Sequence, residues 1–235
     1  MRKAICLFAI CILFAKINCL HAQQFEWVKP IGSFVVGNSI GMEDSKVDNL
    51  GNNYILGAFS GTHDFDPGVG IFNMTSTVSN MNIFLVKLDA NGNFIWALKY
   101  NSTGNLLNNR ITIDNQENVI ISGNFSGTCD FDPGVGVNSV TAVGSVAYFT
   151  KLNASGTFLW NHTLVNTSAT SRMTTDINRN IYMTGTFKDT VDFDPGVGVF
   201  NLISQYSAIY ILKWDENGNS DLPNPSNPPP ALVLI

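Results

Sequence analysis

The heptapeptide Asp-Phe-Asp-Pro-Gly-Val-Gly stands at Asp64–Gly70, Asp130–Gly136 and Asp192–Gly198 of a 235-residue chain. Copies spaced by 66 and 62 residues make the folding unit about sixty residues long, and such a unit stacks on its neighbours rather than folding alone. Alignment on the heptapeptide brings more into register. Upstream, Asp48, Asp114 and Asp176 coincide, as do Asn52, Asn118 and Asn180, and Phe59, Phe125 and Phe187. Downstream, Lys87, Lys151 and Lys213 coincide, as do Gly92, Gly156 and Gly218.

Inside each unit the apolar runs are short. "NYILGAF" and "IFLVKLD" are rich in β-branched and aromatic residues and are too short for helices. "ANGN" is a hairpin signal, after which "FIWALKY" returns. A further short run ends at each of Asp48, Asp114 and Asp176 before a turn. The expectation is an all-β array of about three four-stranded blades, over residues 44–101, 110–165 and 172–219, as in a β-propeller. The last unit stops before its fourth strand. "FEWVKPIG" matches "FIWALKYN", so Phe25–Ile31 is expected to be an extra outer strand that completes the last blade and closes the ring.

Residues 1–22 read as a secretory signal peptide, with Arg2 and Lys3 ahead of an apolar run over 4–15. That run is shorter than the ~20 residues of a membrane span. Three of the four cysteines lie in the leader, leaving Cys129 and no disulfide for an exported chain. Loss of Arg2, Lys3 and Lys16 leaves 10 basic against 18 acidic residues, which argues against nucleic acid and anionic membranes as partners. From Leu222 the chain is proline-rich, an extended tail over 222–235 rather than a strand.

The pattern D-x-x-G-N-x-Y-x-x-G-x-F-S-G-T-x-D-F-D-P-G followed by I-F-x-x-K-L-D-x-x-G-N-F-x-W resembles bacterial β-propeller repeats of the SBBP type, and the resemblance covers Phe25–Asn219. It implies a secreted or cell-surface protein, in a family whose members often carry a type IX sorting domain. No such domain stands here, and three blades are fewer than the four or more of ordinary propellers. The resemblance therefore leaves open a piece of a longer protein, or a ring completed by self-association.

The signature itself has two readings. In one, Pro67-Gly68, Pro133-Gly134 and Pro195-Gly196 bend a small hairpin, Asp66, Asp132 and Asp194 are turn-formers, and Asp64, Asp130 and Asp192 bond backbone amides. In the other, the six aspartates are calcium ligands, although two carboxylates per repeat are fewer than fuller calcium loops supply. The signatures are expected on one face, opposite Asn91-Gly92, Ser155-Gly156 and Asn217-Gly218, and that face is the expected binding surface. Trp27, Trp96 and Trp160 are expected to pack between blades, the three equivalent lysines to point to solvent, His63 and His162 to have surface roles, and Cys129 to pack. No unrepeated catalytic constellation stands out. The expected function is a non-catalytic scaffold that binds or displays a protein or glycan, with no cofactor unless calcium. The alternatives are a structural piece of a larger secreted protein, a calcium-stabilised propeller, or a polysaccharide hydrolase or lyase.

Overall fold

A computed structural model of the chain describes residues 26–32, 37–76, 81–167, 172–196 and 198–220. The leader, Phe25 and the proline-rich tail lie outside them. The described residues form thirteen strands and no helix. Blade 1 is the antiparallel run β1 (Ser39–Val47), β2 (Asn53–Ser60), β5 (Asn82–Leu88) and β6 (Phe94–Ser102). Blade 2 repeats it with β7 (Leu106–Ile113), β8 (Val119–Asp130), β9 (Ser139–Leu152) and β10 (Phe158–Leu164). Blade 3 has β11 (Arg172–Thr175), β12 (Ile181–Asp192) and β13 (Asn201–Trp214), and a single bridge from Trp214 to Ser220 starts a fourth strand. The innermost strands begin earlier than the repeat register suggests, at Ser39 and Leu106.

The signature lies in the connection between second and third strands. In blade 1 it caps a separate hairpin, β3 (Thr62–Asp64) on β4 (Asn73–Thr75). In blades 2 and 3 the same hairpin is continuous with the long strands, so Asp130 faces Ser139 and Asp192 faces Asn201.

The core sits between blades. Successive side chains of a strand point to opposite faces, and β8 shows the consequence. Val119 and Ile121 pack with Leu56, Ile83 and Leu85 of blade 1, whereas Ile120 packs with Ile181, Met183 and Trp214 of blade 3. A strand buried on both faces reads as a continuous apolar run, which is why "NVIIS" does not alternate. Each fully buried aliphatic side chain contributes about 1.5–3 kcal/mol, so neither face is stable uncovered.

Residues 26–31 form no strand and do not pair with β13. Instead the Trp27 indole N–H donates to the Ala90 carbonyl at 3.3 Å, and the Gly32 N–H donates to the Asp64 carbonyl at 2.9 Å. The segment lies on blade 1, and the expectation that it completes the last blade is corrected. The physical reason is the turn at Ala90–Gly92, which offers an indole-sized surface with a carbonyl beside it.

Candidate functional site

Each short turn of the array is built from one side chain. Asp48 Oδ1 accepts from the Leu50 and Asn52 amides at 2.9 Å, and its Oδ2 accepts from the Asn52 side chain at 2.8 Å. Asp89, Asp114, Asp176 and Asp215 repeat this five-residue turn, and Asn153 does so with its single amide oxygen. Position four is left-handed. Glycine holds it in four turns, but Glu117 (φ 64°) and Arg179 (φ 66°) hold it in the first turns of blades 2 and 3. Side chains tolerate that region poorly, and both of these are used. Glu117 reaches Lys87 of the preceding blade at 3.5 Å, and Arg179 pairs with Glu216.

The joints between blades use these turns. Lys87 Nζ and the Trp96 indole N–H both donate to the Ala154 carbonyl, at 3.2 and 3.4 Å. One blade on, Lys151 Nζ and the Trp160 indole N–H donate to the Glu216 carbonyl, at 2.9 and 3.4 Å. The tryptophans are therefore half-buried joint residues, and Trp27 makes the same contact on Ala90. Lys87 and Lys151 do not point to solvent, because each ammonium meets both a carbonyl of the next blade and a carboxylate, Glu117 or Asp114, which offset its loss of water. Lys213 is exposed and lies 6.0 Å from the Tyr182 ring centre.

Lys151 also meets Asp114 at 3.0 Å, with 2% and 0% of the two side chains exposed. Burial pushes the Asp114 carboxyl up, but bonds from Asn118, Lys151 and the turn amides outweigh it and hold the group below the usual aspartate range. An ion pair this deep persists only because nearly every lone pair and proton finds a partner.

The described bonds to the signature carboxylates come from their own hairpins. Asp64 Oδ1 accepts from the Asp66 amide at 3.0 Å and the Phe72 amide at 2.8 Å, and Asp66 Oδ1 accepts from the Gly68 amide at 2.7 Å. Asp130 and Asp132, then Asp192 and Asp194, repeat every one of these bonds within 0.1 Å. A Cβ on Gly70, Gly136 or Gly198 would meet the second oxygen of that aspartate at 2.1–2.2 Å, so the last letter of the heptapeptide is set by this contact. Phe65, Phe131 and Phe193 are buried beneath. Among the described residues no cluster of three or more His, Cys, Asp or Glu side chains is placed to share a metal ion.

Concave surface lies elsewhere. Antiparallel order puts the first and third turns of a blade at one end and the signature at the other. The three first turns converge on a cavity of about 250 Å³ lined by Asp48, Asn49, Asp114, Asn115, Asp176 and Ile177. The Asn115 side chain donates to the Ile177 carbonyl at 2.8 Å and ties two of the turns together. Val47, Leu50 and Ile177 stand exposed around it. A second cavity, of about 380 Å³, lies between the innermost strands, with Glu43, Asp44 and Lys46 facing Arg110 and Arg172. Asp44, Arg110 and Arg172 occupy one repeat position, so the repeat symmetry breaks at the axis. The Glu43 carboxylate accepts from the Asn109 amide at 2.8 Å, and Asp44 accepts from the Ile111 amide at 3.2 Å, bonding blade 1 to blade 2. Alignment on the signature hid this set, because the innermost strands are the least alike of the unit. A sign reversal at one repeat position was the available signal.

Of the two described histidines, His63 is buried and His162 is half-buried. His63 is buried edge-on to Phe59 and Phe65, with Nε2 3.1 Å from the Ser60 carbonyl. His162 stacks on Trp160 with ring centres 4.9 Å apart, and burial lowers its pKa. Cys129 is fully buried, its thiol pushed up to about 12 by that burial, which removes the thiolate a nucleophile needs.

No protein-family model matches the chain. Over 168 residues, 61% of the chain, it is 29% identical to an uncharacterised WD repeat-containing protein of Acanthamoeba polyphaga mimivirus. The chain spans about 12% of that protein's length. The likeness agrees with blades of antiparallel strands stacked face to face. The chain is a β-propeller-type repeat protein. No helix among the described residues is long and apolar enough to cross a membrane.

Proposed function

We propose that the chain is an exported, non-catalytic scaffold of the SBBP-type propeller class that binds a protein partner through its first-turn end. The observation that carries this is the convergence of three equivalent turns on one cavity whose margin exposes Val47, Leu50 and Ile177. Uncovered apolar side chains around a polar hollow suit a protein surface better than a sugar. The signature end, whose aspartates are occupied by their own backbone amides, offers less to a ligand.

Photo-crosslinking in the producing cells tests this. A probe at Asn115 is expected to capture a discrete partner and one at Val135 to capture none. Leu50→Asp combined with Ile177→Asp is expected to abolish the adduct. Equal capture from both ends contradicts the reading, as does turnover of a polysaccharide or ester that depends on one unrepeated residue. Fractionation that leaves the protein in the cytoplasm with its leader intact contradicts export.

A second reading, a structural piece of a larger secreted protein, is favoured by the small share of the viral relative that the chain spans. A native mass well above that of the chain supports it. Calcium stabilisation is tested by melting with calcium and with chelator, and coincident curves for wild type and Asp64→Asn are expected on the turn-forming reading.

A further inference from the structure

The two ends of the array carry complementary halves of one joint. Within the chain, Ile83 and Leu85 of β5 and Ala147 and Phe149 of β9 are 0% exposed, because the next blade covers them. The equivalent residues of β13, Ile209 and Ile211, are 75% and 81% exposed. β5 pairs with β6 and β9 with β10, whereas β13 pairs with β12 and, through Trp214, bridges Ser220. From Asp221 the sequence is Asp-Leu-Pro-Asn-Pro-Ser-Asn-Pro-Pro-Pro, in which the prolines carry no N–H.

At the other end, residues 26–32 lie on blade 1 as the outer strand of one blade lies on the next. The offset that aligns Trp27 with Trp96 aligns Gly32 with Asn101. Trp27 bonds the Ala90 carbonyl as Trp96 bonds that of Ala154, and Gly32 bonds Asp64 where Asn101 pairs with Asp130. The segment thus meets blade 1 at both points by which β6 meets blade 2. Beside it, Ile31, Ile40, Met42, Ile55 and Phe84 line an apolar cavity of about 240 Å³. Among the described residues, β13 has no outer-strand partner beyond the Ser220 bridge and no covering blade, and residues 26–32 with blade 1 have the form of each.

We infer that the exposed face of β13, and its edge beyond the Trp214–Ser220 bridge, receive the leading end of a second copy of this chain, with residues 26–31 of that copy as the outer strand beside β13. By the register of β6 on β5, Trp27 comes opposite Lys213 and Ile31 opposite Ile209. Lys213 then reaches the Ala90 carbonyl of the second copy, as Lys87 reaches Ala154. Pro30 falls in the outer strand of a blade, which is where sheets tolerate proline. The contact is head-to-tail, and such contacts either close into a ring or run on as a filament. Two copies of the three described blades give six, within the four to eight of closed propellers, which is the closed form of the inferred contact. This inference is independent of the partner-binding reading, which needs only the first-turn end.

Light scattering after size-exclusion chromatography of the secreted protein tests it. Twice the chain mass is expected across a hundredfold dilution series. Ile209→Asp with Ile211→Asp changes side chains that are exposed in the single chain, so the melting curve of the dissociated protein stays cooperative while the mass halves. Trp27→Ala is expected to halve the mass from the opposite end. A single-chain mass at every concentration overturns the inference. So does a ladder of higher masses, or a dimer indifferent to both variants.

Discussion

The signature corners and the first-turn corners are both built on aspartate and both occur three times, yet they behave differently. At the signature, the described bonds to the carboxylates of Asp64, Asp130 and Asp192 come from amides of their own hairpin, although the Asp64 carbonyl also accepts from Gly32 and Asp130 pairs with Asn101, and the seven letters do not vary. At the first turns the aspartate is kept but its neighbours change, from Gly51 to Glu117 to Arg179, and the new side chains reach a lysine and a glutamate elsewhere. A corner that closes on itself can be copied without change, because its environment is its own sequence. A corner whose side chains reach another turn or blade, as Glu117 reaches Lys87 across a joint and Arg179 reaches Glu216 within blade 3, differs from copy to copy because its surroundings do. Invariance within this chain marks self-sufficiency, and variation marks contact.

That contrast breaks most visibly at Lys151. Lys151→Met leaves Asp114 buried without its cation and removes a bond across the joint, at an expected cost of about 3–5 kcal/mol in urea unfolding. The loss should spread to blade 3, seen as reduced amide protection in β12 and β13. Next in size, Asp130→Ala strips two amides of their acceptor and should cost about 1–3 kcal/mol. Its effect on amide protection should stay within the signature hairpin, and spread to blade 3 would show that the corner is not self-contained. Smaller still, Trp96→Phe removes one indole hydrogen bond at the first joint, worth about 1 kcal/mol, with the ring contact retained.

Acid sharpens the same comparison. Asp114 has a folded pKa below its ordinary value of 3.8, so the folded chain binds fewer protons than the unfolded chain near that pH. Its contribution is fully present above that value and is lost as the pH falls through the lower folded value. Asp114→Asn should therefore flatten the acid limb of a stability–pH curve, measured by urea midpoints at falling pH. An unchanged limb would place the acid sensitivity elsewhere.

Much of the fold was legible. The register of Asp48, Asn52, Phe59, Lys87 and Gly92 with their copies located strands and turns, because backbone geometry imposes itself equally on every copy. Three things were not. Lys87 and Lys151 look like solvent residues by type, and only the folded structure brings each a carbonyl of the next blade and a carboxylate that offset burial. His63 occupies the slot of Cys129 and Val191, both buried, a comparison that already pointed inward. The axial set of Glu43, Asp44, Arg110 and Arg172 was obscured because alignment rewards likeness, whereas a site at the pseudo-symmetry axis is made of differences.

The central claim is that the three units are co-oriented blades, with first turns gathered at one end and signatures at the other. Pulsed electron–electron distance measurements test it directly, using spin labels at Asn49→Cys, Asn115→Cys, Ile177→Cys, Val69→Cys and Val135→Cys taken in pairs. Cys129, buried with a raised pKa, stays unlabelled. The 8-residue strand β2 separates Asn49 from Val69, roughly 25 Å of extended chain. The account predicts that every distance among the three first-turn labels is shorter than any distance from them to a signature label. A signature label lying among the first-turn labels would contradict it.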